Sequence, residues 1–142
     1  MNRILGIDHG DARIGIAVSD PLGMLAHPVE TIHRKQCDDP LARIKDLVEE
    51  TGARTLIVGM PRNMDGSYGP AAEKVRGFTE ELQAALPGAT LVLHDERLST
   101  VMAERLLRET GKIRKGKRKA VIDQMAAQVI LQDYLDSQAP MA

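Results

Sequence analysis

Ile4-Leu5-Gly6-Ile7-Asp8-His9-Gly10-Asp11-Ala12-Arg13-Ile14-Gly15-Ile16-Ala17-Val18-Ser19 is the stretch from which the fold is read. Two apolar runs rich in β-branched residues, Ile4 to Ile7 and Ile14 to Ser19, flank a polar, glycine-containing segment, the pattern of a β-hairpin. Asp8 closes the first run. A carboxylate at the end of a buried strand is costly unless something compensates it, and a cation is one such thing. Gly10 lets the backbone turn tightly and lets a ligand approach without a side chain in the way. The plainer alternative is that Asp8 caps the hairpin turn.

Working outward, Pro28 to His33 reads as a third strand, its proline suggesting an edge or a strand start. From Pro40, the spacing of Leu41, Ile44, Leu47 and Val48 predicts a helix with Gly52 just past its end. Thr55 to Val58 reads as a buried strand. Pro70 opens a second helix through Val75, Phe78, Leu82 and Leu86, which Pro87-Gly88 ends. Thr90 to His94 reads as another buried strand, and Ser99 to Thr110 and Ala120 to Asp136 as two further helices. Three strands followed by helix, strand, helix, strand, helix, helix make an α/β architecture. Its central mixed sheet has an antiparallel hairpin edge, βαβ crossovers and flanking helices. That layout is shared by RNase H-like and actin-like ATPase folds, and fold alone does not choose between their functions.

With 142 residues, 43% of them hydrophobic, the chain is expected to form a single domain over 1–142. The balance of 19 Lys and Arg against 20 Asp and Glu says nothing by itself about an anionic partner. The lone Cys37 can build neither a disulfide nor a Cys-rich zinc site and fits a reducing compartment. An acid arrives after a few apolar residues at the N-terminus, and no apolar run approaches the ~18 residues of a membrane span. A cytoplasmic protein with no membrane partner is therefore expected. Aromatic residues are 2% of the chain, with no Trp and a single phenylalanine, Phe78, which argues against stacking many bases on aromatic rings.

Three acids stand at informative places. Besides Asp8, Glu96 lies just beyond the strand ending at His94, where parallel layers gather functional groups. Adjacent residues of extended chain point to opposite faces, so Asp95 and Glu96 cannot both aim at one site. A salt-bridged loop is the alternative for Glu96. Asp123 leads a helical face continued by Ala127, Ile130 and Tyr134, so an acid heads a largely apolar stripe. Its alternative is a favourable charge near a helix start. Three clustered carboxylates repel one another unless they hold a hard divalent cation, Mg2+ or Mn2+. Two such ions ~3.5 to 4 Å apart can drive in-line phosphodiester hydrolysis.

Lys112, Arg114, Lys115, Lys117, Arg118 and Lys119 put six positive charges in eight residues, with no acid from Gly111 to Val121. Gly111 and Gly116 suggest a flexible loop running into the helix of Asp123, suited to holding several phosphates. The loop Gly59 to Pro70 offers Arg62, Asn63 and Ser67 for phosphate or sugar, with a structural Asx turn as the alternative.

The motifs Gly6-Ile7-Asp8-His9-Gly10 through Arg13 to Asp20, Gly59-Met60-Pro61-Arg62-Asn63-Met64-Asp65-Gly66, Asp95-Glu96-Arg97-Leu98-Ser99-Thr100, and Asp123 before Ala126-Ala127 closely resemble the YqgF/RuvX family, nearly end to end. The resemblance implies an RNase H-like fold and a nuclease processing the 5′ end of pre-16S rRNA, in a family also described as Holliday junction resolvase-like. It maps the acidic triad onto Asp8, Glu96 and Asp123. Arg13, Arg62, Asn63 and the basic run would contact a structured nucleic acid, either pre-16S rRNA or branched DNA. A homodimer would serve symmetric cutting of a junction.

A nucleotide-using enzyme of the actin-like type is the structural rival, but such proteins close two domains on the nucleotide, and no Gly-x-x-x-x-Gly-Lys-[Ser/Thr] loop occurs here. A catalytically idle RNA-binding assembly factor would gain nothing from three acids beside an anionic ligand. His9, His27, His33 and His94 lack zinc-ligand spacing with one another or with Cys37.

Overall fold

A computed structural model describes residues 3–61, 65, 67–95 and 115–138, with the helical backbone alone over 115–124. The first hairpin forms as expected: β1 (Ile4–His9) pairs antiparallel with β2 (Arg13–Ser19). β3 (Ala26–His33) adds antiparallel to β2 at the sheet edge. It starts two residues earlier than the proline suggested. Ala17 pairs with Pro28 and Ile16 with Glu30, so Val29 is the extra residue of a bulge. Proline is tolerated there because an edge strand with a bulge leaves ladder positions free.

β4 (Thr55–Met60) lies parallel to β1, and β5 (Thr90–Asp95) parallel to β4, giving the order β3-β2-β1-β4-β5. β5 is therefore an edge strand. It is not the buried strand its apolar run Thr90 to His94 suggested, and Leu93 remains 45% exposed. An apolar run does not say how many neighbours a strand will have.

Helix α1 (Pro40–Thr51) begins with proline in its first turn. The Asp39 carboxylate accepts from the Ala42 N–H at 3.1 Å, and Gly52 ends the helix at φ 73° with its N–H donating to the Val48 carbonyl. Helix α2 (Pro70–Ala85) also opens on proline. Both cover one sheet face. Ile44, Leu47, Val75, Phe78 and Leu82 pack there against Leu5, Ile7, Leu56 and Val58.

Helix α3 (Lys115–Gln138) covers the other face, where Ala127, Ile130, Leu131 and Leu135 meet Ala17, Ala26 and Ile57. It begins before Ala120, so Lys115, Lys117, Arg118 and Lys119 lie on helical backbone and not in the flexible loop expected from the sequence. Lys and Arg are good helix formers, and one glycine, Gly116, costs only about 1 kcal/mol. The helix expected over 99–110 lies outside the described residues. Among those described, no helix is long and apolar enough to cross a membrane.

Candidate active site at the carboxyl end of the sheet

The pleat of β1 sends Leu5 and Ile7 towards α1 and α2, and Gly6 and Asp8 towards α3. Gly6 determines how close α3 comes. A β-carbon there would lie 2.7 Å from Leu131 Cβ and 3.0 Å from the Ala127 carbonyl, so only glycine admits the helix at this depth. Asp123 stands one helical turn before Ala127, and Asp8 two residues after Gly6 on the same strand face. Two of the three expected acids thus belong to elements in direct contact on one side of the sheet.

β1, β4 and β5 are parallel, so their carboxyl ends share one end of the sheet. The register puts Asp8 level with Gly59 and His94, two strand spacings or roughly 10 Å across. His94 faces α3: its Nε2 is 2.6 Å from Asp133 Oδ2, and its ring meets Tyr134 edge-on. Asp95 therefore points to the opposite face from Asp8. Glu96 itself lies outside the described residues, as do Arg62, Asn63, Lys112 and Arg114. Among the described residues no three metal-ligating side chains cluster.

Gly10 is needed because a β-carbon would lie 2.5 Å from the Arg13 carbonyl oxygen across the turn. Arg13, half-buried, starts β2 opposite His33 at the same end of the sheet as Asp8. Ser67 takes the structural alternative, its N–H and hydroxyl both donating to Asp65 Oδ1 at 2.9 and 2.6 Å.

Sequence reading missed the groups behind Asp8. His9 faces α2, where its ring lies 4.6 Å from that of Phe78 and its Nε2 meets the Arg34 guanidinium. Burial, and then the Arg34 charge, push the His9 imidazole below its usual pKa. Lys74 holds the Asp11 carboxylate below its usual range through a hydrogen bond at 3.0 Å. These partners are distant in sequence, so no local spacing could have signalled them. Among the described residues, His9 is engaged by Arg34 and His94 by Asp133, and the Asp8 carboxylate is a hard oxygen donor of the kind a divalent cation takes.

Solved structures of similar shape include Thermus thermophilus RuvC in complex with a Holliday junction substrate, at TM-score 0.56 and 14% identity over 97% of this chain and 96% of that one. The large terminase nuclease of phage G20c aligns at TM-score 0.53 and 17% identity, over 98% and 83% of the two chains. The likenesses establish the fold: this is an RNase H-like domain. A family model described as RuvX, Holliday junction resolvase, matches residues 2–137, and the chain belongs to the RuvX family of nucleases, hydrolases acting on ester bonds. Relatives described as "Putative pre-16S rRNA nuclease" include one from Acetivibrio thermocellus, 53% identical over 95% of this chain and 96% of its own length. Another, from Halothermothrix orenii, is 54% identical over 96% of each.

Proposed function

We propose that Asp8, Glu96 and Asp123 form one metal-dependent centre that hydrolyses phosphodiester bonds at the 5′ end of pre-16S rRNA; the relatives' description as pre-16S rRNA nucleases supports the RNA as substrate. The observation that supports this reading is the Gly6 contact, which brings Ala127 and Leu131 of α3, the helix that carries Asp123, against β1. In this reading the carboxylates of Asp8, Glu96 and Asp123 would together hold the divalent metal. Bound there, Mg2+ or Mn2+ would activate a water and stabilise the leaving oxygen. Arg13, Arg62, Asn63, Lys112 and Arg114, with the cations on the first turns of α3, would hold the phosphates on either side.

The test is cleavage of an end-labelled precursor rRNA 5′ fragment and a labelled four-way DNA junction, in Mg2+ or Mn2+, by the unmodified chain and its Asp8→Asn variant. The expected outcome is cutting of the RNA, lost in Asp8→Asn by at least a hundredfold, on the order of removing one electrostatic group from a catalytic centre. The description of the family as a Holliday junction resolvase favours a second substrate, and symmetric nicking of the junction alone would move the function there. Salt-sensitive binding without cutting of either would leave a binding module.

A further inference from the structure

A pocket of about 240 Å³ opens at the end of β1 on the α2 side of the sheet, the side away from α3. His9, Asp11, Pro61, Ala71, Lys74 and Val75 are among its walls. It is smaller than a drug-sized site, of the order of 300 Å³ and above, and has room for a single ring system.

Three features define what fits. His9 lines the pocket, and its ring is held in place by Phe78 and by the Arg34 guanidinium, neither of which lines it, which makes it the candidate stacking surface. The chain's only phenylalanine is spent on this support. Pro61, Val75 and Ala71 supply apolar walls. At the rim, Lys74 Nζ donates to both Asp11 oxygens at 3.0 and 3.2 Å, so the two charges balance there. An ionised carboxylate has about four lone-pair sites, so Asp11 can still accept. In the first turn of α2 the Ala72 and Glu73 N–H groups donate to the Gly69 carbonyl and Pro70 has none, so the N–H at that wall is that of Ala71. A phosphate would meet the Asp11 carboxylate. A neutral planar ring carrying both donors and acceptors meets a stacking surface and complementary partners.

We infer that this pocket takes one unstacked nucleobase of the strand being cut, beside the scissile phosphate held at Asp8. The inference rests on the nuclease reading for its strand, while the pocket's own chemistry is tested without cleavage. Asp8 and His9 are consecutive and face opposite sides of β1, so a strand crossing the carboxyl end of the sheet reaches both. Recognition of one base is consistent with a chain too poor in aromatics to stack many.

The test is an amide NMR titration of the full chain, without divalent metal, using adenosine 5′-monophosphate and, separately, ribose 5-phosphate. Saturable shifts at Gly10, Asp11, Ala71 and Lys74 are expected with the former and absent with the latter. Ala71 is exposed, so Ala71→Phe should fill the pocket without disturbing the core and abolish the shifts. His9→Ala should weaken binding by about tenfold, the order of one lost base–aromatic stack, and His9→Phe should restore it. Equal shifts with ribose 5-phosphate, or none with adenosine 5′-monophosphate, would overturn the base pocket. Failure of the nuclease reading would instead appear as absent cleavage, whatever the titration gives.

Discussion

Gly6 and Gly77 are both glycines inside regular elements, yet the structure assigns replacement of each an opposite sign. At Gly6 a methyl group would meet Leu131 Cβ and the Ala127 carbonyl, and relieving that overlap requires α3 to lift from β1. Overpacking of this kind costs about 1 to 3 kcal/mol. At Gly77, within α2, an added β-carbon meets nothing within 4 Å, so alanine should stabilise by about 0.5 to 1 kcal/mol through helix propensity. Urea unfolding of Gly6→Ala and Gly77→Ala checks the pair. Gly6→Ala should also cut more slowly than its loss of stability explains, because the displaced helix carries Asp123. A Gly6→Ala protein as stable and as active as the parent would break the link between this contact and the site.

Between elements, the bidentate clasp of Arg43 on α1 and Glu30 on β3 fastens a helix to an edge strand, with N···O distances of 2.9 and 2.7 Å. The hydrogen bonds to Arg43 hold the Glu30 carboxyl below its ordinary value of 4.5. Its folded pKa is lowered, so its stabilisation is complete above pH 4.5 and is lost as the pH falls through the lowered value. Both side chains are about a third exposed, which limits the pair to about 0.5 to 1 kcal/mol. Glu30→Gln should therefore be less stable than the parent at pH 7 by about that amount. The gap should close below pH 4.5, as read from urea midpoints across pH; a gap independent of pH would contradict the assignment.

The elements also show what a sequence makes legible. α1 could be read to its ends because Pro40 and Gly52 act locally, although the Asp39 cap was not read. The face of α3 could be read because Ala127 and Ile130 are fully buried where the spacing from Asp123 put them. β5 was misjudged because edge or centre depends on strand order, which no local pattern carries. The later part of the basic run was misjudged because Gly111 and Gly116 look like loop punctuation, whereas the helix already covers positions 115 to 119. Asp8 stood out as a charge after an apolar run. The His9–Phe78 and His94–Asp133 contacts did not, since each joins residues brought together only by the fold.

At the scale of the whole molecule, a formal net charge of −1 conceals a strongly polarised chain. Lys115, Lys117, Arg118 and Lys119 crowd the start of α3, upstream of Asp123 on the same helix. If these cations face phosphates, substrate affinity falls steeply with salt. Replacing Lys117 and Arg118 together by Gln should weaken binding for every sequence tested. It should also reduce the salt slope by about one per lost phosphate contact, as measured by filter binding across salt concentrations without metal. An unchanged slope would remove this segment from the interface. Symmetric cutting of a four-way junction would further require two chains related by a two-fold axis, which sedimentation of the free and junction-bound protein would detect.

The account turns on whether three acids, distant in sequence, make one metal centre. Binding of Mn2+ to the unmodified chain and to the single variants Asp8→Asn, Glu96→Gln and Asp123→Asn, followed by electron paramagnetic resonance, tests that most directly. The account predicts saturable Mn2+ binding by the parent that each of the three substitutions weakens by about tenfold or more, since each removes a charged oxygen donor from a shared site. Mn2+ binding unchanged in all three folded variants would contradict it.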